Sequence, residues 1–204
     1  MLLLVGLGNP GARHARERHN LGFMAVDAVA RAHRFAPWRS KFSSMLSEGA
    51  LAGVKVLAQK PQTFMNRSGY AVAEAARFYK LPLGQIVVCH DEVDLAAGKV
   101  RIKLGGGVAG HNGVRSIAAQ LGSPDFRRVR LGIGHPGHKD LVTRHVLGDF
   151  DAGDREWLDR LLEAFAEAAP LLAAGDDAGC MNKIALRMRP PKETAEGPSN
   201  APAS

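Results

Sequence analysis

The chain opens on four consecutive apolar residues, Leu2-Leu-Leu-Val5, cut off at once by Gly6-Leu-Gly8-Asn-Pro-Gly11. An unbroken apolar run bounded by glycine reads as a strand buried on both faces, the kind found at the centre of a parallel sheet. A glycine-rich break after such a strand delivers the next polar residues to the carboxyl edge of the sheet, where open α/β folds bind ligands. The residues so delivered are Asn9, Arg16, Arg18, His19 and Asn20. Histidine titrates near neutral pH, which makes His19 a candidate catalytic base.

Gly6 to Gly11 also satisfies the dinucleotide pattern G-x-G-x-x-G. That fingerprint requires a helix to begin inside the glycine turn and an acid about 20 residues on, at the end of the next strand. Pro10 and Gly11 are poor helix formers beyond a first turn, and Asp27 falls within an apparent helix, so the sequence favours a strand-to-loop turn.

Strands and helices alternate along the chain. Leu21 to Arg34 carries apolar residues at helical spacing, and His33 near its end reads as a surface cap. Pro37 to Ser44 reads as irregular. Met45–Ala50 and Val54–Gln59 form a hairpin across Ala52-Gly53. Lys60 to Gly69 is a loop into a helix over 70–79 that Ser68 could cap. Ile86–Cys89 is a short buried strand, followed by His90 and Asp91. Val100–Leu104 alternates apolar and basic residues, and Gly105–Gly113 is a loop opening a helix over 114–121. Val129–Ile133 is a further strand. Asp154–Ala173 is an amphipathic helix that Pro170 should bend or fray. This alternation predicts an α/β single-domain three-layer structure, a twisted mixed sheet flanked by helices. The segment from Arg187 to Ser204 is rich in Pro, Ala and Ser, so a domain over 1–187 and a disordered tail over 188–204 are expected.

Apolar residues make up 46% of the 204 residues and charged residues 23%, the balance of a soluble globular protein. The apolar run at the start is too short for a signal segment or a membrane span. Cys89 and Cys180 are too few for a disulfide framework, which points to the cytoplasm. The net charge of +7 is not spread evenly. Between Lys99 and Arg130 seven basic residues face one acid, Asp125. Such a stripe suits a phosphate-rich partner.

Four polar clusters accompany these elements: Asn9 with His19, Asn66, His90-Asp91 and His111-Asn112. Together they describe hydrolysis by activated water. A carboxylate such as Asp91 would hold one ring nitrogen of His19 as N–H, freeing the other to accept a proton. Asparagine amides would orient water or donate to a developing oxyanion. No serine sits in a G-x-S-x-G setting, no metal-ligand spacing is present, and the glycine run lacks the Lys-Ser/Thr of a Walker A loop. A non-catalytic RNA-binding module and a dinucleotide-dependent oxidoreductase are the rival readings.

Five motifs in register identify a resemblance. Gly6-Leu-Gly-Asn-Pro-Gly11 with Arg18-His-Asn20, Pro61-Gln-Thr-Phe-Met-Asn-Arg-Ser-Gly69, His90-Asp-Glu-Val-Asp-Leu95, Gly105-Gly-Gly-Val-Ala-Gly-His-Asn-Gly113 and Arg130-Leu-Gly-Ile-Gly-His-Pro-Gly137 resemble the bacterial peptidyl-tRNA hydrolase family, in order from Leu3 to about Leu186. The resemblance implies cleavage of the ester between a peptide and the tRNA 3′ ribose, recycling tRNA from aborted translation. It implies a cytoplasmic monomer that needs no metal or cofactor and has no membrane partner. By motif position His19 and Asp91 would be catalytic. Asn9, Asn66 and Asn112, with Phe64 and Met65, would position substrate and water. Lys103 and Arg130 would clamp the tRNA 5′-phosphate. The family usually has an aromatic residue where this chain has His14, and threonine where it has Glu17.

Overall fold

The computed structural model describes residues 1–108 and 110–189. They form one seven-stranded sheet with six α-helices among the described residues. In chain order the strands are β1 (Leu2–Gly6), β2 (Arg39–Lys41), β3 (Ser44–Leu51), β4 (Val54–Pro61), β5 (Ile86–Glu92), β6 (Val100–Leu104) and β7 (Arg127–Gly132). The helices are α1 (Leu21–Ala32), α2 (Ser68–Phe78), α3 (Asn112–Leu121), α4 (Val142–Val146), α5 (Arg155–Ala173) and α6 (Asp177–Arg187). Across the sheet the order is β2-β3-β4-β1-β5-β7-β6. The four strands β4, β1, β5 and β7 are mutually parallel, and β2, β3 and β6 pair antiparallel at the two edges.

The opening apolar run is the central strand, and its period of two builds both cores. Leu2 and Leu4 pack with α1, α5 and α6 on one face, while Leu3 and Val5 pack with α2 and α3 on the other. Strand β5 does the same, with Val87 and Cys89 on the first face and Ile86 and Val88 on the second. The result is three layers. Two glycines let α1 lie against the sheet. A Cβ on Gly6 would strike the Gly22 carbonyl, and one on Gly22 would strike the Cys89 carbonyl and the Leu7 backbone. Close helix packing, rather than phosphate approach, is what Gly6 serves.

Several local expectations are corrected. The segment from Pro37 is not irregular throughout: Arg39–Lys41 forms an edge strand, joined to β3 by Phe42 and Ser43, both at positive φ. All three β2 residues are exposed, so no apolar period marked it. Ser68 does not cap α2. It is the first helical residue, and its buried hydroxyl has no partner among the described residues. Strand β5 runs three residues beyond Cys89, so His90 and Asp91 sit on the strand rather than in a loop.

Helix α5 passes through Pro170 to Ala173. A proline cannot donate to the carbonyl four residues back, here Ala166. His33 supplies the missing donor, its Nε2 lying 2.8 Å from Ala166 O. His33 is the C-cap of α1, as expected, and its ring also bridges α1 to α5. At the end of the described chain Arg187 pairs with Glu167, and Met188 packs against the core. Residues 190–204, with most of the expected tail, lie outside the described residues. No helix among the described residues is long and apolar enough to cross a membrane.

Candidate active site

His19 lies on a 3-10 turn, Arg18–Asn20, between the glycine break and α1. Its neighbours clamp the turn from both sides. Asn20 and Asn9 form a two-way clasp: Asn9 N donates to Asn20 Oδ1, and Asn20 Nδ2 donates to Asn9 O, each at 2.9 Å. Arg18 reaches the other way, donating to Asp154 Oδ2 at 2.6 Å and to the Asp149 carbonyl at 2.7 Å, with its guanidinium over the Phe150 ring. Backbone bonds from Arg18 N to Gly148 O and from Phe150 N to Arg16 O complete the attachment.

Held in this way, the His19 ring meets Asp91 on β5. Nδ1 lies 3.0 Å from both carboxylate oxygens. Asp91 also accepts from His111 Nε2 at 3.0 Å. A carboxylate only accepts, so both ring nitrogens donate and the tautomers follow. For His111 this leaves Nδ1 as an acceptor, and it caps α3 by receiving Gly113 N and Val114 N at 3.2 and 3.4 Å. The rings of His19 and His111 stand with centroids 4.8 Å apart. His90, the preceding strand residue, packs edge-on against His111 and bonds the Asp91 carbonyl through Nδ1 at 2.8 Å.

The electrostatics follow from this packing. Burial disfavours a charged His19, but the Asp91 charge and hydrogen bond, helped by Glu17, outweigh it and raise its pKa above the ordinary value. Burial also opposes charge on Asp91, yet His111 and His19 hold its carboxyl well below the usual range. For His90, burial and the nearby His111 prevail over Asp91, and its pKa is pushed down to about 3.

These groups line a cavity of about 370 Å³. Its walls are the end of β5, the glycine loop from Gly105, the start of α3, α4, and the basic residues Lys103, Arg128 and Arg130. Strand register puts the basic residues on one face. Arg101 pairs with Arg130 and Lys103 with Arg128, and alternate residues share a face. Arg128 fastens the glycine loop, donating to the Gly107 and Gly106 carbonyls at 2.7 Å each.

Of the residues singled out in the sequence, His19, Asp91, Asn112, Lys103 and Arg130 line this one cavity. Asn9 is outside the cavity lining; beyond the backbone clasp with Asn20, its Oδ1 accepts from Met65 N at 2.9 Å. Met65 is buried in the second core, and Phe64 is 64% exposed. Asn66 is exposed and lies outside the cavity lining. His111 was noted as part of a cluster but given no role. Its position three residues before Val114, at a helix start, carried a capping signal, yet its contact with Asp91 depends on tertiary structure. Among the described residues, His19, Asp91 and His111 are the groups whose donor atoms, all within 4.8 Å, could hold a metal ion.

Comparison with known proteins decides the family. Residues 3–193 match the model of the Peptidyl-tRNA hydrolase family. The chain belongs to that family. It is 57% identical over 189 residues to a peptidyl-tRNA hydrolase of Mesorhizobium japonicum, covering 93% of this chain and 78% of the relative. With that of Parvibaculum lavamentivorans it shares 58% over 194 residues, covering 95% and 94%. A crystal structure of peptidyl-tRNA hydrolase from Acinetobacter baumannii superposes with a TM-score of 0.84 at 38% identity, covering 90% of this chain and 94% of that one. The two family departures, His14 and Glu17, turn out to be partners. His14 Nδ1 meets Glu17 Oε1 at 2.6 Å, and neither residue lines the cavity.

Proposed function

We propose that the chain hydrolyses peptidyl-tRNA by water activated at His19. The observation that carries this reading is the buried His19–Asp91 pair opening into a cavity whose other wall is basic. With Nδ1–H turned to Asp91, Nε2 of His19 is the nitrogen left to take a proton from water. The hydroxide so formed attacks the ester carbonyl carbon. In this reading the amide of Asn112, which lines the cavity, donates to the resulting oxyanion. Collapse breaks the bond to the ribose 3′-oxygen, which takes the proton back from the His19 imidazolium. The peptide leaves as a carboxylic acid, which gives its proton to solvent, and the tRNA as a free 3′-hydroxyl.

The cavity is of ordinary ligand size, so it takes the acylated end of the substrate while the rest of the tRNA stays outside. Lys103 and Arg130 suit its 5′-phosphate. In keeping with the resemblance, the proposed enzyme works as a cytoplasmic monomer with no metal or cofactor, and Asn9, Asn66, Phe64 and Met65 act on the substrate side. The test is release of peptide from N-acyl-aminoacyl-tRNA with chelator present. The wild type should turn over, and His19→Ala should be slower by about 10²- to 10⁴-fold. A wild type without turnover, or a His19→Ala variant with full turnover, refutes the reading.

A further inference from the structure

One wall of the cavity is helix α4, through Val142, Thr143 and Val146, with Leu147 just after it. The helix has 5 residues and none of them is fully buried. Core packing therefore does little to fix it, and its place depends on how its ends are tied. At its carboxyl end the tie is to the catalytic turn. Glu17 and Asp149 form an antiparallel bridge, flanked by bonds from Arg18 N to Gly148 O at 2.9 Å and from Phe150 N to Arg16 O at 3.0 Å. Antiparallel segments leave a bridge in opposite chain directions at the same end. One runs on through Arg18 into His19, and the other runs back through Gly148 into Leu147 and α4. His19 and Leu147 both line the cavity. Base and wall diverge from a single joint.

A bridge of one residue pair opens readily unless side chains secure it, and the Arg18 side chain does so. Its Nη2 donates to Asp154 Oδ2 at 2.6 Å and its Nη1 to the Asp149 carbonyl at 2.7 Å. Asp151 Oδ2 lies 3.6 Å away, and the guanidinium covers the Phe150 ring at 5.4 Å from its centroid. Only 13% of the Arg18 side chain and 19% of that of Asp154 is exposed. A charged hydrogen bond so shielded from water is stronger than one at an open surface. Arg18 itself does not line the cavity, so what it does to the reaction it does through its neighbours.

We propose that Arg18 is a positioning residue that fixes His19 and the α4 wall to one another, so that its pair with Asp154 holds the space between base and wall. This rests on the reading of the chain as a peptidyl-tRNA hydrolase, in which the acylated end of the substrate occupies that space. Loosening the joint lets the base drift from the ester and lets the wall retreat from the substrate. One substitution therefore lowers kcat and raises KM together. A group that only added stability would change neither constant while the protein stayed folded.

Arg18→Gln and Asp154→Asn each break the pair, and Arg18→Lys keeps its charge. Peptide release from N-acyl-aminoacyl-tRNA is followed at a temperature where circular dichroism shows every variant folded. His33→Ala serves as a variant destabilised away from the cavity. Arg18→Gln should lower kcat by about 10- to 100-fold, the cost of misplacing a catalytic group by about 1 Å, and should raise KM. Arg18→Lys should recover part of both. Asp154→Asn should act in the same direction and add little in the Arg18→Gln background, because the two residues share one contact. His33→Ala should leave both constants near those of the wild type. Amide hydrogen exchange tests the joint without substrate. In Arg18→Gln, residues 16–22 and 142–150 should both exchange faster, by about tenfold, while β5 keeps its protection. If folded Arg18→Gln does not change both kcat and KM, or if exchange quickens in only one of the two segments, the proposal is overturned. A wild type that fails to cleave the substrate refutes the functional reading instead, and exchange alone then decides whether Arg18 joins the turn to the wall.

Discussion

Glu92 holds Arg130 by one edge, its Oε2 accepting from Nε at 2.8 Å. An arginine gripped at Nε keeps its outer pair of nitrogens for a second acid, and a phosphate matches that fork. Because Glu92 follows Asp91 on β5, one strand carries both the partner of His19 and the partner of Arg130.

If Arg130 clamps the terminal phosphate of the substrate, Arg130→Ala should slow cleavage of ordinary peptidyl-tRNA. It should matter far less when the 5′-phosphate has been removed. Both effects should shrink at high salt. Four rates, with and without phosphate in wild type and variant, give the coupling. Additive logarithms would reduce Arg130 to part of a diffuse positive field.

The pH–rate profile should have an acidic limb set by His19, because only the neutral ring accepts a proton. Asp91 and Glu17 raise the His19 pKa against the effect of burial, so that limb should lie above the ordinary histidine value. Asp91→Asn should lower the rate and move the limb toward acid. Glu17→Gln should move it in the same direction by less, with most of the rate kept. An unmoved limb in both variants would show that neither carboxylate acts on the base.

His90 should contribute an acid weakness to the fold. The folded protein keeps it neutral down to about pH 3, while the unfolded chain protonates it near 6.5. Its contribution is thus complete above pH 6.5 and declines as pH falls toward 3, by on the order of 3 kcal/mol at pH 4. His19, with a raised pKa, acts oppositely: its contribution is complete below 6.5 and is lost as pH rises through the folded value. Melting curves from pH 4 to 7 should be flatter for His90→Asn than for wild type.

The bridge from His33 to Ala166 predicts a double-mutant cycle. His33→Ala should destabilise the protein by about 1 kcal/mol, the usual worth of a hydrogen bond. In a Pro170→Ala background a backbone N–H returns to the Ala166 carbonyl, and the loss of His33 should then cost little. Equal costs in both backgrounds, measured by denaturant unfolding, would mean that the ring does not stand in for the missing amide.

The legible parts of this molecule were those governed by local pattern. Leu2–Val5 and Ile86–Cys89 read as strands buried on two faces because both cores draw on alternate residues of one run. His19 was found because a glycine break after such a strand leads to a sheet edge. The structure brings it to Asp91. What stayed hidden depends on partners far along the chain. Nothing near His33 announces a proline in another helix, and nothing near His111 announces a carboxylate on β5. The clasp between Asn20 and the Asn9 backbone was not legible either, because an amide that ties a turn and one that faces a substrate look alike in one dimension. The short β2 strand was invisible because it buries nothing.

Gly22 is the second residue of α1, three positions after His19, and its Cα faces the Leu7 backbone and the Cys89 carbonyl with no room for a methyl group. The start of α1, just after His19, is thus seated main chain on main chain, a fit that no side-chain adjustment can restore. An alanine at 22 would act as a shim, lifting the start of α1 and tilting the imidazole with it, although it touches neither water nor substrate. The seating of α1 beside His19 leaves less space than one carbon atom, and it is kept by leaving that atom out.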